Sequence, residues 1–174
     1  DAVDRIVGGL EKKNKIITKD EKKAIAIHEA GHATISWLLE YANPLVKVTI
    51  VPRGQSLGAA WYLPEERSIT TTEQLLDQMC SALGGRAAEE LVFSKISTGA
   101  LSDLEKITKQ AYAMVSIYGL NKRVGNISFY DSQGRDAFTK PYSDETAKII
   151  DEEVSKLVEG QYQRALKILT ENKE

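Results

Sequence analysis

Cysteine, histidine and long apolar runs are all scarce in this chain of 174 residues, and each scarcity excludes something. A single cysteine, Cys80, cannot build an internal disulfide framework. It is expected in a reducing compartment. Its place in Leu75-Leu76-Asp77-Gln78-Met79-Cys80-Ser81-Ala82-Leu83, at helical spacing, marks it as a core residue rather than a nucleophile. No stretch reaches the roughly 18 consecutive apolar residues that a membrane-spanning helix needs. Charge of one sign is not in excess either: 23 Lys and Arg face 25 Asp and Glu, for a net charge of -2. That balance excludes nucleic acid as a partner. The lysines that do gather, Lys12, Lys13 and Lys15, then Lys22 and Lys23, have acidic residues interleaved and read as a solvated face. There is no internal repeat, no low-complexity tract and no G-x-x-x-x-G-K-[ST] phosphate loop.

What is present suits one domain with a real core. The start, Asp1-Ala2-Val3-Asp4, carries neither a methionine nor a signal-peptide pattern, and the end falls just after a helical stretch. Both ends are expected to be cuts in a longer protein, with any targeting or anchoring segment outside this chain.

Helical signals dominate. Thr18-Lys19-Asp20-Glu21 is a capping box, and apolar or small residues follow at helical spacing from Ala24 through Ile35 to Leu39, predicting a helix to about Tyr41, before Asn43-Pro44. Val46-Lys47-Val48-Thr49-Ile50-Val51 alternates and is rich in β-branched residues, as a strand requires. Pro52-Arg53-Gly54 is turn chemistry, and Ala59 to Leu63 can return as a second strand ended by Pro64. Capping boxes at Thr70-Thr71-Thr72-Glu73 and Ser102-Asp103-Leu104-Glu105 open two more helices, the second running to Gly119. The first contains Gly84-Gly85, a pair that costs roughly 1 kcal/mol each against alanine and so predicts close packing on another backbone. Asn126 to Tyr130 reads as a short strand, and a long amphipathic helix starts at Ser143. The fold class expected is mainly α, with a small β hairpin.

The chain has only two histidines, and both lie in His28-Glu29-Ala30-Gly31-His32. Four residues apart on a helix, their imidazoles share a face and can hold one cation. Glu29 lies one position round, near the open coordination position without being a ligand, as in the H-E-x-x-H helix of zinc peptidases. Ala30 and Gly31 keep the helix slim there. Catalytic zinc takes three protein ligands and a water. With no third histidine, the third ligand is expected to be a carboxylate: Glu89, Glu90 or Asp103, between which spacing alone does not choose. Asp103 is placed in the first turn of its helix, where the dipole favours an anion.

These segments together resemble the peptidase domain of FtsH-type membrane-anchored AAA+ proteases, the M41 metallopeptidases. The resemblance is carried in order by His28-Glu29-Ala30-Gly31-His32, Lys47-Val48-Thr49-Ile50-Val51-Pro52-Arg53-Gly54, Leu83-Gly84-Gly85-Arg86-Ala87-Ala88-Glu89-Glu90, and Thr98-Gly99-Ala100 with Asp103. It extends over nearly the whole chain. It implies residues 1–9 as the end of a preceding ATPase module and 10–174 as the peptidase domain, truncated at its C-terminus. It further implies zinc, one per chain, held by His28, His32 and Asp103, with Glu29 catalytic and Glu89 supporting the histidines from behind. One departure is Ser102, where many relatives carry Asp or Asn; serine is an equally good helix cap.

The function implied is a zinc-dependent endopeptidase that degrades unfolded or membrane polypeptides, with ATP used by the absent ATPase region. A homo-hexamer is implied, or a hetero-hexamer, with membrane contact only through segments outside this chain. The place implied is the cytoplasmic side of the bacterial inner membrane, or the mitochondrial inner membrane. The strand Val46–Val51 is the one expected to hold substrate by β-addition, and the helices from Thr72 and Ser143 are expected to carry ring contacts on spare apolar positions. The rival readings are a non-catalytic ring-assembly module and a metal-binding domain without hydrolysis. Both predict a defect in the ligand or base set, and the sequence has none.

Overall fold

A computed structural model of the chain describes residues 17–51, 58–63, 68–130 and 140–173. The turn at Pro52 to Gly54, Pro64 and the first nine residues lie outside them. Among the described residues four helices carry the fold: α1 (Lys19–Leu38), α2 (Thr72–Phe93), α3 (Leu101–Ser116) and α4 (Asp144–Glu171). A single two-stranded sheet, β1 (Leu45–Thr49) with β2 (Ala59–Tyr62), accompanies them among the described residues. The class is mainly α, as expected.

Helix α1 begins at the Thr18–Glu21 capping box, both halves of which are made. It stops at Leu38, short of Tyr41, because the Tyr41 amide donates to the buried Asp77 carboxylate (3.0 Å) instead of continuing the helix. A hydrogen-bond partner supplied from another helix cannot be read locally. Helix α2 is capped by Thr71 with Gln74, one residue later than the sequence suggests. Ser102 does not cap α3. A 3₁₀ turn, Thr98–Ala100, capped by Ser97, runs straight into α3, so Ser102 already lies inside the first turn beside Asp103. Ser143 caps α4 as expected. Residues 126–130 form no strand. Among the described residues no strand partners them, and Phe129 instead gives its amide to the Ser116 carbonyl (2.8 Å) and stacks edge-on against Tyr142.

The strands pair antiparallel, Thr49 opposite Ala59 and Leu45 opposite Tyr62, with an irregularity between Leu45 and Lys47. The core lies where α2 meets the other three helices: Ile35 from α1, Met79, Cys80 and Leu83 from α2, Ile107, Met114 and Val115 from α3, and Ile150, Val154 and Leu169 from α4. The apolar positions of α2 and α4 are therefore largely used inside this chain. Exposed apolar residues include Val92 on α2, and Trp37, Ile69 and Leu101 outside α2 and α4. Cys80 is fully buried, and burial pushes its thiol up to about 11, against the opposing pull of Arg164.

The seam between α1 and α2 positions the site. Gly31 and Gly84 meet backbone to backbone, and a Cβ on Gly31 would overlap the Gly84 carbonyl. A Cβ on Gly85 would enter the His28 ring. The glycine pair inside α2 is thus explained by close approach. Ala30, by contrast, faces outward and does not thin the contact.

Candidate metal centre

His28 and His32 are both buried on the face of α1 that α2 covers. Their other partners determine which ring nitrogens carry protons. The Ser81 main-chain oxygen can only accept, so His32 Nδ1, 2.8 Å away, donates to it. Glu89 Oε1 stands 2.7 Å from His28 Nδ1 and takes that proton in the same way. Each imidazole therefore turns an Nε2 lone pair inward, and the two Nε2 atoms lie 3.0 Å apart. Asp103 brings a carboxylate oxygen to the same point, 3.3 Å from His28 Nε2 and 3.4 Å from His32 Nε2.

Three acceptors converging in this way are satisfied only by a cation, either a proton on His28 or a metal ion. The donor chemistry, two neutral imidazoles and one carboxylate, is that of a catalytic zinc site. A tetrahedral ion with bonds of about 2.0–2.1 Å holds its ligand atoms roughly 3.3–3.4 Å apart; both histidine–Asp103 separations match this, and the 3.0 Å between the Nε2 atoms is somewhat shorter. His28, His32 and Asp103 are the metal-capable group of this kind among the described residues.

The three carboxylates that spacing left open have separate places. Asp103 reaches the Nε2 side from the first turn of α3. Glu89 lies behind His28, and its second oxygen accepts the Ser97 amide at 2.9 Å, tying the His28 ring to the segment that leads into α3. Glu90 faces outward and bonds the Tyr162 hydroxyl. Glu29 is buried and bonds neither histidine; its carboxylate lies under Gly58, where a Cβ would come within 2.9 Å of Oε1.

The electrostatics follow this layout. Burial raises the Glu29 carboxyl above its ordinary value, the two imidazoles oppose that, and the Asp103 charge adds to it. Burial resists a charge on His28, but the carboxylates of Asp103 and Glu89 outweigh it and the net shift is upward. Burial also resists ionisation of Asp103, yet hydrogen bonds to His28 and His32 hold it well below the usual carboxylate range.

Ser81, Ser97 and Gly58 are parts of the site that the sequence did not reveal. Two act through main-chain atoms and the third through having no side chain, and none of these leaves a residue-type signature. Of the hairpin, Gly58 packs against Glu29.

Comparison with known proteins gives the same direction. The model of Peptidase family M41 matches residues 15–174. An ATP-dependent zinc metalloprotease FtsH of Parabacteroides distasonis is 70% identical over 174 residues, 99% of this chain and 25% of that protein. An FtsH of Karelsulcia muelleri is 58% identical, over 99% of this chain and 28% of that protein. The mouse mitochondrial inner membrane m-AAA protease component AFG3L2 is 51% identical, over 99% and 22%. The chain spans about a quarter of the length of these curated relatives.

Proposed function

The chain belongs to peptidase family M41, and from that premise we propose that it is the zinc-dependent endopeptidase part of an ATP-dependent, membrane-anchored protease. The observation that carries this reading is the triangle of acceptors formed by His28, His32 and Asp103, with a buried carboxyl, Glu29, beside it. In this reading His28, His32 and Asp103 hold the metal, Glu89 orients His28, and Ser81 orients His32.

Zinc, when bound, acidifies a water to a pKa of about 7 and polarises the peptide carbonyl. The chain's own residues do the rest. Glu29 takes a proton from the attacking water and delivers it to the leaving amine, a contribution of roughly 10²–10⁴-fold. Its burial supports this role, since burial raises the carboxyl above its ordinary value and so makes it a better base. Substrate pairs as an added strand on the hairpin. The edge we assign is that of β2 rather than Val46–Val51, because β2 follows directly on Gly58, which packs against Glu29.

In the whole protein, residues 1–9 end an ATPase module that spends ATP to feed unfolded and membrane polypeptides to residues 10–174, in a ring of six. No described helix is long and apolar enough to cross a membrane, so the anchor is assigned to other segments. The bacterial inner membrane, with this domain on the cytoplasmic side, is favoured over the mitochondrial one by the greater identity to bacterial FtsH. The test is casein degradation by the full-length protein with zinc measured on the same sample. Degradation that survives complete zinc removal, or protein that never takes up zinc, would overturn the proposal.

A further inference from the structure

The Gly31–Gly84 contact sets how close α1 and α2 lie, but two residues without side chains offer no ridge to stop one helix sliding along the other. Both bonds that orient the histidines cross this seam to α2. His32 Nδ1 reaches the Ser81 main-chain oxygen (2.8 Å), and His28 Nδ1 reaches Glu89 Oε1 (2.7 Å). Lengthening either by about 0.8 Å would end it as a hydrogen bond. The register of α2 on α1 thus matters to both rings as much as the spacing does.

Ser36 and Ser81, both buried in the seam, supply a directional contact across it. Ser36 Oγ donates its only proton to the His32 carbonyl of its own helix (2.8 Å). Its contact with Ser81 Oγ (2.5 Å) therefore runs the other way, with Ser81 donating. The bonds close a circuit. The His32 ring gives its proton to the Ser81 main chain, the Ser81 hydroxyl gives its proton to Ser36, and Ser36 gives its proton to the His32 main chain. Two serines thus hold His32 by its ring and by its backbone. All three residues are buried, where a polar group left without a partner is costly. A slide of α2 would strain both crossings of the circuit at once.

We propose that the Ser36–Ser81 hydroxyl pair is a positioning device for the metal ligands, which fixes α2 lengthwise on α1. It keeps the Ser81 oxygen behind His32 and Glu89 behind His28, so that both Nε2 atoms stay turned towards Asp103. The hydroxyls act through the two helices and not on the ion. The glycine contact sets the separation of the helices and the hydroxyl pair sets their register, two independent degrees of freedom. The inference rests on the metal-site part of the reading above and adds to it a determinant of affinity.

The experiment compares Ser36→Ala, Ser81→Ala and the double variant with the parent in the full-length protein, reading zinc affinity by competitive titration. Each single change should weaken zinc about tenfold, the low end for a group behind a ligand. The double variant should lose about the same tenfold, because both changes break one bond and their effects do not add. Where the double variant does not fold, the two singles decide. Val154→Ala, a core truncation on α4, controls for lost stability and should keep zinc affinity within about twofold of the parent. Singles within about twofold of the parent overturn the proposal, as does a loss in only one of them. So does a double variant that multiplies the two losses, or a Val154→Ala loss as large as theirs. An Asp103→Ala protein with parental zinc affinity would instead overturn the metal-site reading itself.

Discussion

Gly84 lies so close to Gly31 that a Cβ added to it would stand 2.7 Å from the Gly31 carbonyl oxygen. This contact lets α2 bring both Ser81 and Glu89 to the histidines, since a wider helix spacing would break the two hydrogen bonds that orient the rings. Gly84→Ala should therefore lower stability by about 1–3 kcal/mol, the usual cost of overpacking. It should also weaken zinc binding from a position that touches no metal ligand. Thermal unfolding and zinc titration check both parts. An alanine variant with parental melting temperature and zinc affinity would contradict the packing argument.

Metal binding should sort the acidic and imidazole side chains by their place. His28→Ala, His32→Ala and Asp103→Ala each remove a lone pair from the triangle and should abolish stoichiometric zinc. Glu89→Gln leaves the triangle intact and should weaken affinity only 10–100-fold, the usual cost of disturbing an outer partner. Glu90→Gln should do nothing to zinc, because Glu90 faces Tyr162. Elemental analysis with competitive titration decides the order, and a Glu90 effect larger than that of Asp103 would refute it.

Glu29→Gln should keep zinc and fold yet lose peptide cleavage by roughly 10²–10⁴-fold, since an amide cannot take the proton. The measurement is casein degradation in the full-length protein beside zinc content. Near-parental cleavage would remove Glu29 from the mechanism.

After metal is stripped with a chelator, His28 and Asp103 should make stability depend on pH. The folded value of His28 is raised, so its contribution is fully present below about pH 6.5 and is lost as pH rises through the raised value. The folded value of Asp103 is depressed, so its contribution is present above about pH 3.9 and is lost only as pH falls through the lower value. Stripped protein should thus weaken on the alkaline side of the His28 titration. Zinc competes with that proton, so zinc affinity should rise with pH across the same window. Urea unfolding and zinc titration from about pH 5 to about pH 9 test this. Stability of the stripped protein that climbs across the window would show the sign to be wrong.

The parts legible in the sequence are those with a local cause. The Thr18 capping box, the β-branched run into β1, the Ser143 cap and the two histidines four apart all act within a turn or a strand, and each appears where its pattern stands. The parts that were misread depend on partners far along the chain. Tyr41 leaves α1 because Asp77 takes its amide, and the Ser102 box yields to a 3₁₀ turn begun at Ser97. Phe129 finds Ser116 and Tyr142 in place of a strand partner.

By itself the sequence put residues 28 and 32 on one face, because a helix of any tertiary context does so, and with no third histidine it left a carboxylate as the expected third ligand. Only the tertiary structure decided which carboxylate stands beside both Nε2 atoms. Asp103, Glu89 and Glu90 are alike in charge, and they were separated by the Gly31–Gly84 contact that sets α2 on α1 and by the direct passage from the 3₁₀ turn into α3. Those placements bring one carboxylate to the Nε2 side of the rings, one to the Nδ1 side of His28 and one to the surface. The cause is geometric. Spacing along a helix fixes direction within one element, whereas distance between elements follows from what their surfaces allow to touch.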